Sequence, residues 1–99
     1  MEANRQRLDR WLWHARLVKT RSLAASLAAS GHVRLNGKRI DAPGRAVRPG
    51  DVLTIAMTNS IKVLKIVDLA ARRGRPAEAK RLYADLGGPN LLAGGDSVR

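Results

Sequence analysis

The sequence predicts an α+β domain in which a pair of helices packs on an antiparallel sheet of about four strands, followed by a C-terminal helix. Two patterns and the chain length support this prediction. Apolar residues recur with helical spacing in the first third of the chain and alternate around turn dipeptides in the middle. A chain of 99 residues forms one small domain, and the absence of cysteine excludes a disulfide scaffold.

The first two elements are predicted to be helices. Apolar residues at helical spacing define one face of the first helix: Leu8, Trp11, Leu12, Ala15 and Val18. A second helix follows at 21–30, because the Thr20 hydroxyl can cap its first turn and Gly31 suits the left-handed residue that ends a helix. The sequence therefore predicts a short helix, a tight connection at 19–20 and a second helix.

Turn signals divide the middle of the chain into strands. Asn36-Gly37 lies between short alternating runs, which is a strong local signal for a hairpin. Proline and glycine at 43–44 and 49–51 mark further turns. The four strands predicted on this basis span residues 32–35, 38–40, 52–57 and 61–67.

The composition changes after residue 68. A basic loop at 70–75 precedes Pro76, which suits the first turn of a helix, and Leu82 and Leu86 have helical spacing. We therefore predict a helix from Pro76 to about Leu86. The chain divides into a flexible basic N-terminus at 1–6, a folded domain at 7–68, a C-terminal loop and helix packed on it at 69–86, and a loose tail at 87–99.

Positive charge is concentrated in the first half of the chain. The protein has 19 Lys and Arg against 8 Asp and Glu, a net charge of +11. Residues 5–48 hold eleven basic and two acidic side chains, a net charge of +9, and the rest contributes only +2. Self-repulsion on this scale destabilises the compact state, so the charge indicates a polyanionic partner, with nucleic acid favoured over an anionic membrane.

The residues needed for catalysis or metal binding are sparse. The carboxylates are scattered, His14 and His32 are far apart, and no cysteine nucleophile is present. We therefore expect no catalytic residue, metal, cofactor or small-molecule substrate. The opening residues are too polar for a signal peptide, and no apolar run approaches the roughly 18 residues of a membrane span. We expect a cytoplasmic monomer that does not act at a membrane.

The few aromatic residues indicate the kind of nucleic acid. Proteins that bind single strands stack bases on aromatic rings, and this chain offers Trp11, Trp13 and Tyr83 alone. Trp11 belongs to the predicted core, whereas Trp13 is suited either to stacking or to packing against the third strand or the C-terminal segment. Structured RNA, recognised by shape and backbone, is favoured. Duplex DNA remains an alternative partner, because RNA and DNA both carry backbone phosphates.

Cations cluster around the predicted connection and hairpin. Three lie near the connection and three near the hairpin tip: Arg16, Lys19, Arg21, Arg34, Lys38 and Arg39. If the hairpin packs beside the second helix, all six face one strip of solvent. Thr20 and Ser22 add hydroxyl groups, and the free amides at the start of the second helix favour an anion.

Two other functions fit parts of the pattern. A DNA-binding helix-turn-helix protein would place the helix at 21–30 in the major groove, although Arg21 is its sole long base-reading side chain. A membrane-surface protein would use the Trp-bearing first helix, although the core requires the same apolar face.

Four motifs in this order resemble the S4-type RNA-binding domain. They are RLDRWLW at 7–13, KTRS at 19–22, GHVRLNGK at 31–38 and VRPGDVL at 47–53. The opening motif and Leu82-Tyr83 are most similar to the ribosome-associated heat shock protein 15 branch, and the similarity covers about 7–86. The resemblance implies a helix pair (the αL motif) on a strongly bent antiparallel sheet.

The resemblance also implies a function without catalysis. It implies binding of structured ribosomal RNA through the helix pair and the hairpin, on free large ribosomal subunits that carry a stalled nascent chain. The RNA-facing positions that it implies are Arg7, Arg10, Arg16, Lys19, Thr20, Arg21, Ser22, Arg34, Asn36, Lys38 and Arg39. Asp9 is expected to support the first helix, since the helix dipole favours a carboxylate near the N-terminus.

Overall fold

A computed structural model describes residues 4–56 and 59–87 and confirms the α+β class. The helices are α1 (Leu8–His14), α2 (Arg21–Ala29) and α3 (Pro76–Ala79), followed by a 3₁₀ turn (Lys80–Leu82). The strands are β1 (Gln6–Arg7), β2 (Val33–Leu35), β3 (Lys38–Ile40), β4 (Ala46–Val47), β5 (Val52–Ala56), β6 (Ile61–Ile66) and β7 (Tyr83–Asp85).

Five strands form an antiparallel sheet in the order β3-β2-β5-β6-β7, and β1 pairs separately with β4. Val33 pairs with Ile40 on one side and with Ile55 on the other, and all three side chains are buried. Because side chains alternate along a strand, the next pair, Arg34 and Arg39, projects from the opposite, exposed face. The register therefore separates an apolar face from a face that carries basic residues.

The core lies between the helix pair and the apolar face of the sheet. Trp11 is fully buried, its indole N–H donates to the Asp68 carbonyl at 2.9 Å, and its ring meets Tyr83 edge-on at 6.3 Å. Ala24 and Ala28 are the residues that α2 buries completely. These small side chains allow α2 to lie close to α1.

The second predicted helix is confirmed. Thr20 has an extended conformation, and its Oγ1 accepts a hydrogen bond from the Leu23 amide at 3.0 Å. At the other end, Gly31 follows the C-cap residue Ser30 with a φ of 85°. Both termini therefore form as the local sequence predicts.

The first helix ends about one turn earlier than its apolar periodicity predicts. After His14 the chain turns, and Arg16 has a φ of 60°. The Arg16 amide donates to the Trp13 carbonyl and the Leu17 amide to the Leu12 carbonyl, both at 3.1 Å. This pair of bonds is a Schellman C-cap, whose left-handed residue is usually glycine. The connection to α2 is accordingly longer than predicted.

The predicted hairpin is confirmed. Asn36 and Gly37 have φ values of 51° and 87°, which is the pattern of a type I′ turn between β2 and β3. The third and fourth predicted strands are also present, as β5 and β6.

The predicted C-terminal helix is wrong beyond its first turn. The α-helix ends at Ala79, a 3₁₀ turn follows, and β7 then pairs with β6, with Tyr83 opposite Ile66. Leu82 is buried while Leu86 is 52% exposed, so their helical spacing does not define a common face. Pairing with β6 satisfies backbone groups that a continued helix would leave open at the sheet edge.

The N-terminal segment also differs from its prediction. Gln6 pairs with Val47 across β1 and β4, and its side-chain amide donates to the Ala70 carbonyl at 2.7 Å. Residue 6 is therefore part of the fold rather than of a flexible N-terminus. The predictions for residues 1–3 and for the tail at 88–99 lie outside the described residues.

Candidate nucleic-acid interface

Asp9 connects the first turn of α1 to the start of α2 through two arginines. Its carboxylate accepts two hydrogen bonds from the Arg7 guanidinium, both at 3.0 Å. The Arg21 guanidinium lies 3.8 Å from the same carboxylate. The Asp9 side chain is 5% exposed, whereas those of Arg7 and Arg21 are 56% and 42% exposed. One nearly buried carboxylate thus holds two guanidinium groups that remain accessible to solvent.

The arginines stabilise the ionised form of Asp9. The hydrogen bond from Arg7 is the largest cause that holds the pKa of Asp9 below its usual value of 3.8, against burial, which acts to raise it. The same hydrogen bond raises the pKa of Arg7. The three groups together keep one positive charge in excess, so Asp9 organises the cations without neutralising them.

Arg10 and His14 occupy different environments on α1. Arg10 is exposed, and among the described residues its side chain makes no ion pair. His14 is buried, and its Nδ1 lies 2.9 Å from the Ala70 carbonyl, an acceptor, so Nδ1 carries a hydrogen. Burial is the largest cause of the lowered pKa of His14, and the charges of Arg10 and Arg21 lower it further. His14 is therefore a neutral structural residue beneath two cations.

The C-terminal segment anchors the connection between α1 and α2. The Arg16 Nε–H donates to the Gly74 carbonyl at 2.8 Å. In return, the Arg73 guanidinium of the C-terminal segment donates to the Trp13 carbonyl at 3.0 Å and to the Val18 carbonyl at 3.3 Å. Its guanidinium also lies 5.7 Å from the centre of the Trp13 ring. Trp13 therefore packs against the C-terminal segment, which is one of the roles considered for it from the sequence.

Sequence reasoning missed Arg73 as a residue of this region. The basic run at 72–75 is visible in the sequence, but the partners of Arg73 lie 55 and 60 residues earlier in the chain. No local pattern indicates contacts at that separation.

Three further predicted residues lie at the start of α2. Lys19, Thr20 and Ser22 are exposed. Thr20 Oγ1 accepts from a backbone amide, which leaves its hydroxyl hydrogen available to donate to a ligand. Together with Arg21, these residues lie at the start of α2, where the helix dipole favours an anion.

The hairpin carries its cations on two faces. Arg34 and Arg39 are directly opposite one another, whereas Lys38 is opposite the buried Leu35. A Cβ added to Gly31 would lie 2.6 Å from Nη2 of Arg39, so the Arg39 guanidinium covers the chain just after α2. A cation is favoured at that end of a helix, where the carbonyl groups point outward.

Asn36 uses its side-chain amide within the protein. Its Nδ2 donates to the Asp51 carboxylate at 3.1 Å, and its Oδ1 accepts from the Val52 amide at 2.8 Å. Asn36 therefore joins the hairpin turn to the loop before β5, while its exposed edge retains one donor hydrogen.

The predicted cations form two groups, one near each end of α2. The helix group consists of Arg7, Arg10, Arg16, Lys19 and Arg21. The hairpin group consists of Arg34, Lys38 and Arg39. Arg21 begins α2 and Arg39 covers Gly31 beyond its end, which separates these ends by about 15 Å at the α-helical rise.

Membrane-spanning and metal-binding features are both missing from the part of the chain that the structure describes. Among these residues, no helix is long and apolar enough to cross a bilayer. The same residues contain no group of three or more His, Asp or Glu side chains suited to hold a metal ion.

Comparison with known proteins identifies relatives of this chain. A family model described as the S4 domain matches residues 6–53. The heat shock protein 15 homolog of Haemophilus influenzae is 39% identical over 79 residues, which cover 80% of this chain and 60% of that protein. Small ribosomal subunit protein uS4 of Streptococcus pneumoniae is 37% identical over 86 residues, covering 82% of this chain and 42% of that protein. The chain thus spans about three fifths of the heat shock protein 15 relatives that it matches.

A solved structure shares the fold over most of both chains. The trimeric structure of Vibrio cholerae heat shock protein 15 superposes with a TM-score of 0.77 at 36% identity, covering 84% of this chain and 83% of that chain. The family match, the sequence identity and the shared fold together show that this chain belongs to the S4-domain family, in its heat shock protein 15 branch.

Proposed function

We propose that this protein binds structured RNA without catalysing a reaction, and that the RNA is ribosomal RNA of the large subunit. The proposed contacts come from the helix group, the hairpin group and three neighbouring polar residues, Thr20, Ser22 and Asn36. We further propose that it acts in the cytoplasm on free large subunits that carry a stalled nascent chain.

One observation carries the proposal: the interface is left largely without counterions. It contains eight predicted cations, and within residues 4–56 and 59–87 the ion pairs engage two of them, Arg7 and Arg21. Both pair with the single carboxylate of Asp9 and remain accessible to solvent. Unneutralised cations at fixed positions are suited to phosphates, and an arginine fork binds a phosphate through two hydrogen bonds.

The burial of the aromatic residues favours structured RNA over a single strand. Trp11 is fully buried, Trp13 is half-buried beneath Arg73, and Tyr83 is half-buried against Trp11. None of these three rings is fully exposed for a base to stack on, whereas guanidinium, ammonium and hydroxyl groups are abundant. Such groups suit the phosphates and 2′-hydroxyls of folded RNA.

The names of the relatives support a ribosomal target. One matched protein is a small ribosomal subunit protein, and others are heat shock proteins. We propose a single chain as the RNA-binding unit, although the V. cholerae relative is trimeric in its solved structure. Sedimentation velocity with and without RNA measures the size of the binding unit.

Charge reversal in the helix group tests the interface. Arg10→Glu combined with Lys19→Glu should weaken binding to deproteinised large-subunit RNA at least about tenfold, because two phosphate contacts become repulsive. Both side chains are exposed, so the variant should stay folded. Lys65→Glu with Arg81→Glu alters the net charge equally at exposed positions outside both groups. Equal affinity of the two variants would refute the proposed interface.

One competition experiment and one cosedimentation experiment test the choice of partner. Large-subunit RNA should displace a labelled RNA probe far better than duplex DNA of matched length. Preferential binding of the DNA would favour the helix-turn-helix alternative. Cosedimentation with large subunits bearing a nascent chain should exceed that with empty large subunits or small subunits, and equal cosedimentation with all three would reject the proposed target.

A further inference from the structure

A second cluster of arginines lies beside the hairpin turn, outside both the helix group and the hairpin group. Arg5, Arg45 and Arg48 line a shallow cleft of about 410 Å³ whose wall also contains Asn36 and Asp51. Three segments that are distant in the sequence therefore bring three guanidinium groups and one carboxylate to the same cleft.

The pairing of β1 with β4 explains why two of these arginines meet. Gln6 pairs with Val47, and the next residues outward on the two strands are Arg5 and Arg48. Both side chains therefore line the same cleft.

The carboxylate in the cleft, Asp51, supplies one negative charge beside three guanidinium groups. Asp51 accepts one hydrogen bond from the Asn36 side-chain amide at 3.1 Å and another from the Arg48 backbone amide at 3.0 Å. Both oxygens are thus engaged by neutral donors. In the described part of the chain, no ion pair involves Arg45 or Arg48, and both residues are exposed.

The cleft adjoins the interface already described. Strand β1 contributes Arg7, which pairs with Asp9, and Arg5, just before β1 in the chain, lines the cleft. The Arg7 guanidinium also lies close to Gly44, where an added Cβ would be 3.3 Å from Nη1, and Arg45 follows directly. A polyanion bound by the helix group can therefore continue toward the cleft.

We propose that the cleft lined by Arg5, Arg45 and Arg48 binds a backbone phosphate of the same RNA. This inference rests on the proposed function and extends it by a separate contact.

Removal of two cleft charges tests the inference. Arg45→Gln with Arg48→Gln should weaken binding to deproteinised large-subunit RNA about fivefold for each phosphate that the cleft no longer binds. The slope of log affinity against log salt should become shallower by about 0.7 to 0.9 for each such phosphate. Lys65→Gln with Arg81→Gln removes the same charge outside the cleft and should change both quantities less. The thermal midpoint of the cleft variant should be unchanged, because both side chains are exposed and neither forms an ion pair in the described part of the chain.

The outcomes separate this inference from the proposed function. Equal RNA affinities and equal salt slopes for the cleft and control variants would overturn the proposed phosphate site. The proposed function would still stand if Arg10→Glu with Lys19→Glu weakened RNA binding. A titration with inorganic phosphate tests whether the cleft binds free phosphate instead of a phosphate of the RNA backbone. NMR shifts of the Arg45 and Arg48 Nε–H signals in phosphate, with RNA binding unaffected in the cleft variant, would assign a free-phosphate site and also overturn the inference.

Discussion

At Asp9, a nearly buried carboxylate holds two arginines that both stay open to solvent. Burial of an unpaired carboxylate would be costly, so Asp9 depends on Arg7 and Arg21 as much as they depend on it. The two guanidinium groups lose conformational freedom on folding rather than on binding a ligand. Preorganisation of this kind lowers the entropic cost of association.

Replacement of Asp9 by asparagine tests this arrangement. We expect Asp9→Asn to lower the free energy of unfolding by about 1–2 kcal/mol near neutral pH, less than for a fully buried pair because both arginines are exposed. The pKa of Asp9 is lower in the folded state, so its contribution is complete above the ordinary value of 3.8 and is lost as the pH falls through the folded-state pKa. Urea denaturation across the acid range should therefore show a weaker pH dependence in the variant.

His14 contributes a pH dependence in a higher range. Its pKa is lowered in the folded state, mainly by burial, so the unfolded chain binds the proton more readily. Stability is complete above 6.5 and falls as the pH drops below that value toward the folded-state pKa. His14→Asn can retain a donor to the Ala70 carbonyl without titrating. Urea midpoints of the variant should stay constant over this range, and an unchanged decline would contradict the assignment.

Among the elements, the connection between α1 and α2 depends most on distant residues. Its Schellman cap uses Arg16 at a left-handed position that costs a non-glycine residue about 1 kcal/mol or more. The bond from Arg16 to Gly74 and the three contacts of Arg73 offset that cost. The C-terminal segment therefore determines the shape of a loop that the helix group uses.

Arg73→Ala tests the contribution of that segment. We expect a decrease of about 1–2 kcal/mol in the free energy of unfolding, since two hydrogen bonds to carbonyls and a cation–π contact disappear. Hydrogen exchange of the backbone amides at 15–20 should become faster. Arg72→Ala removes an exposed neighbour of the same type and should change neither quantity. Equal exchange rates in the two variants would show that Arg73 does not hold the connection.

Strand β7 illustrates how tertiary pairing overrides a local signal. Pro76 begins a helix as the sequence predicts, and Glu78 caps it by accepting from the Arg75 amide at 3.2 Å. The chain then leaves the helix so that Tyr83 can pair with Ile66 on β6. The gain is strand pairing along the last three residues of β6, Leu64 to Ile66, which no sequence window around Leu82 reveals.

Across the whole molecule, a net charge of +11 has opposite effects on stability and on RNA binding. Salt screens the repulsion within the folded chain and also weakens its attraction to phosphates. We expect the free energy of unfolding to rise between about 0.05 M and 0.3 M NaCl while RNA affinity falls steeply. Denaturation and filter-binding titrations in the same buffers measure both, and an RNA affinity insensitive to salt would reject backbone recognition.

The sequence alone determined the elements whose signals lie within a few neighbouring residues. Thr20 and Gly31 define α2, Asn36-Gly37 defines the hairpin, and the ordered motifs identify the family, as the fold and the relatives confirm. The charge distribution likewise located the basic half of the chain. Capping, turn geometry and composition are local properties, so they can be read without a fold.

Only the tertiary structure decided where α1 ends, that Tyr83–Asp85 is a strand, and how the cations are grouped. Asp9 selects Arg7 and Arg21, and Arg73 reaches a carbonyl 60 residues away. These outcomes depend on which backbone and charged groups meet in space after the core has formed. Their free energy comes from contacts between distant segments, and for that reason no local pattern in the sequence records them.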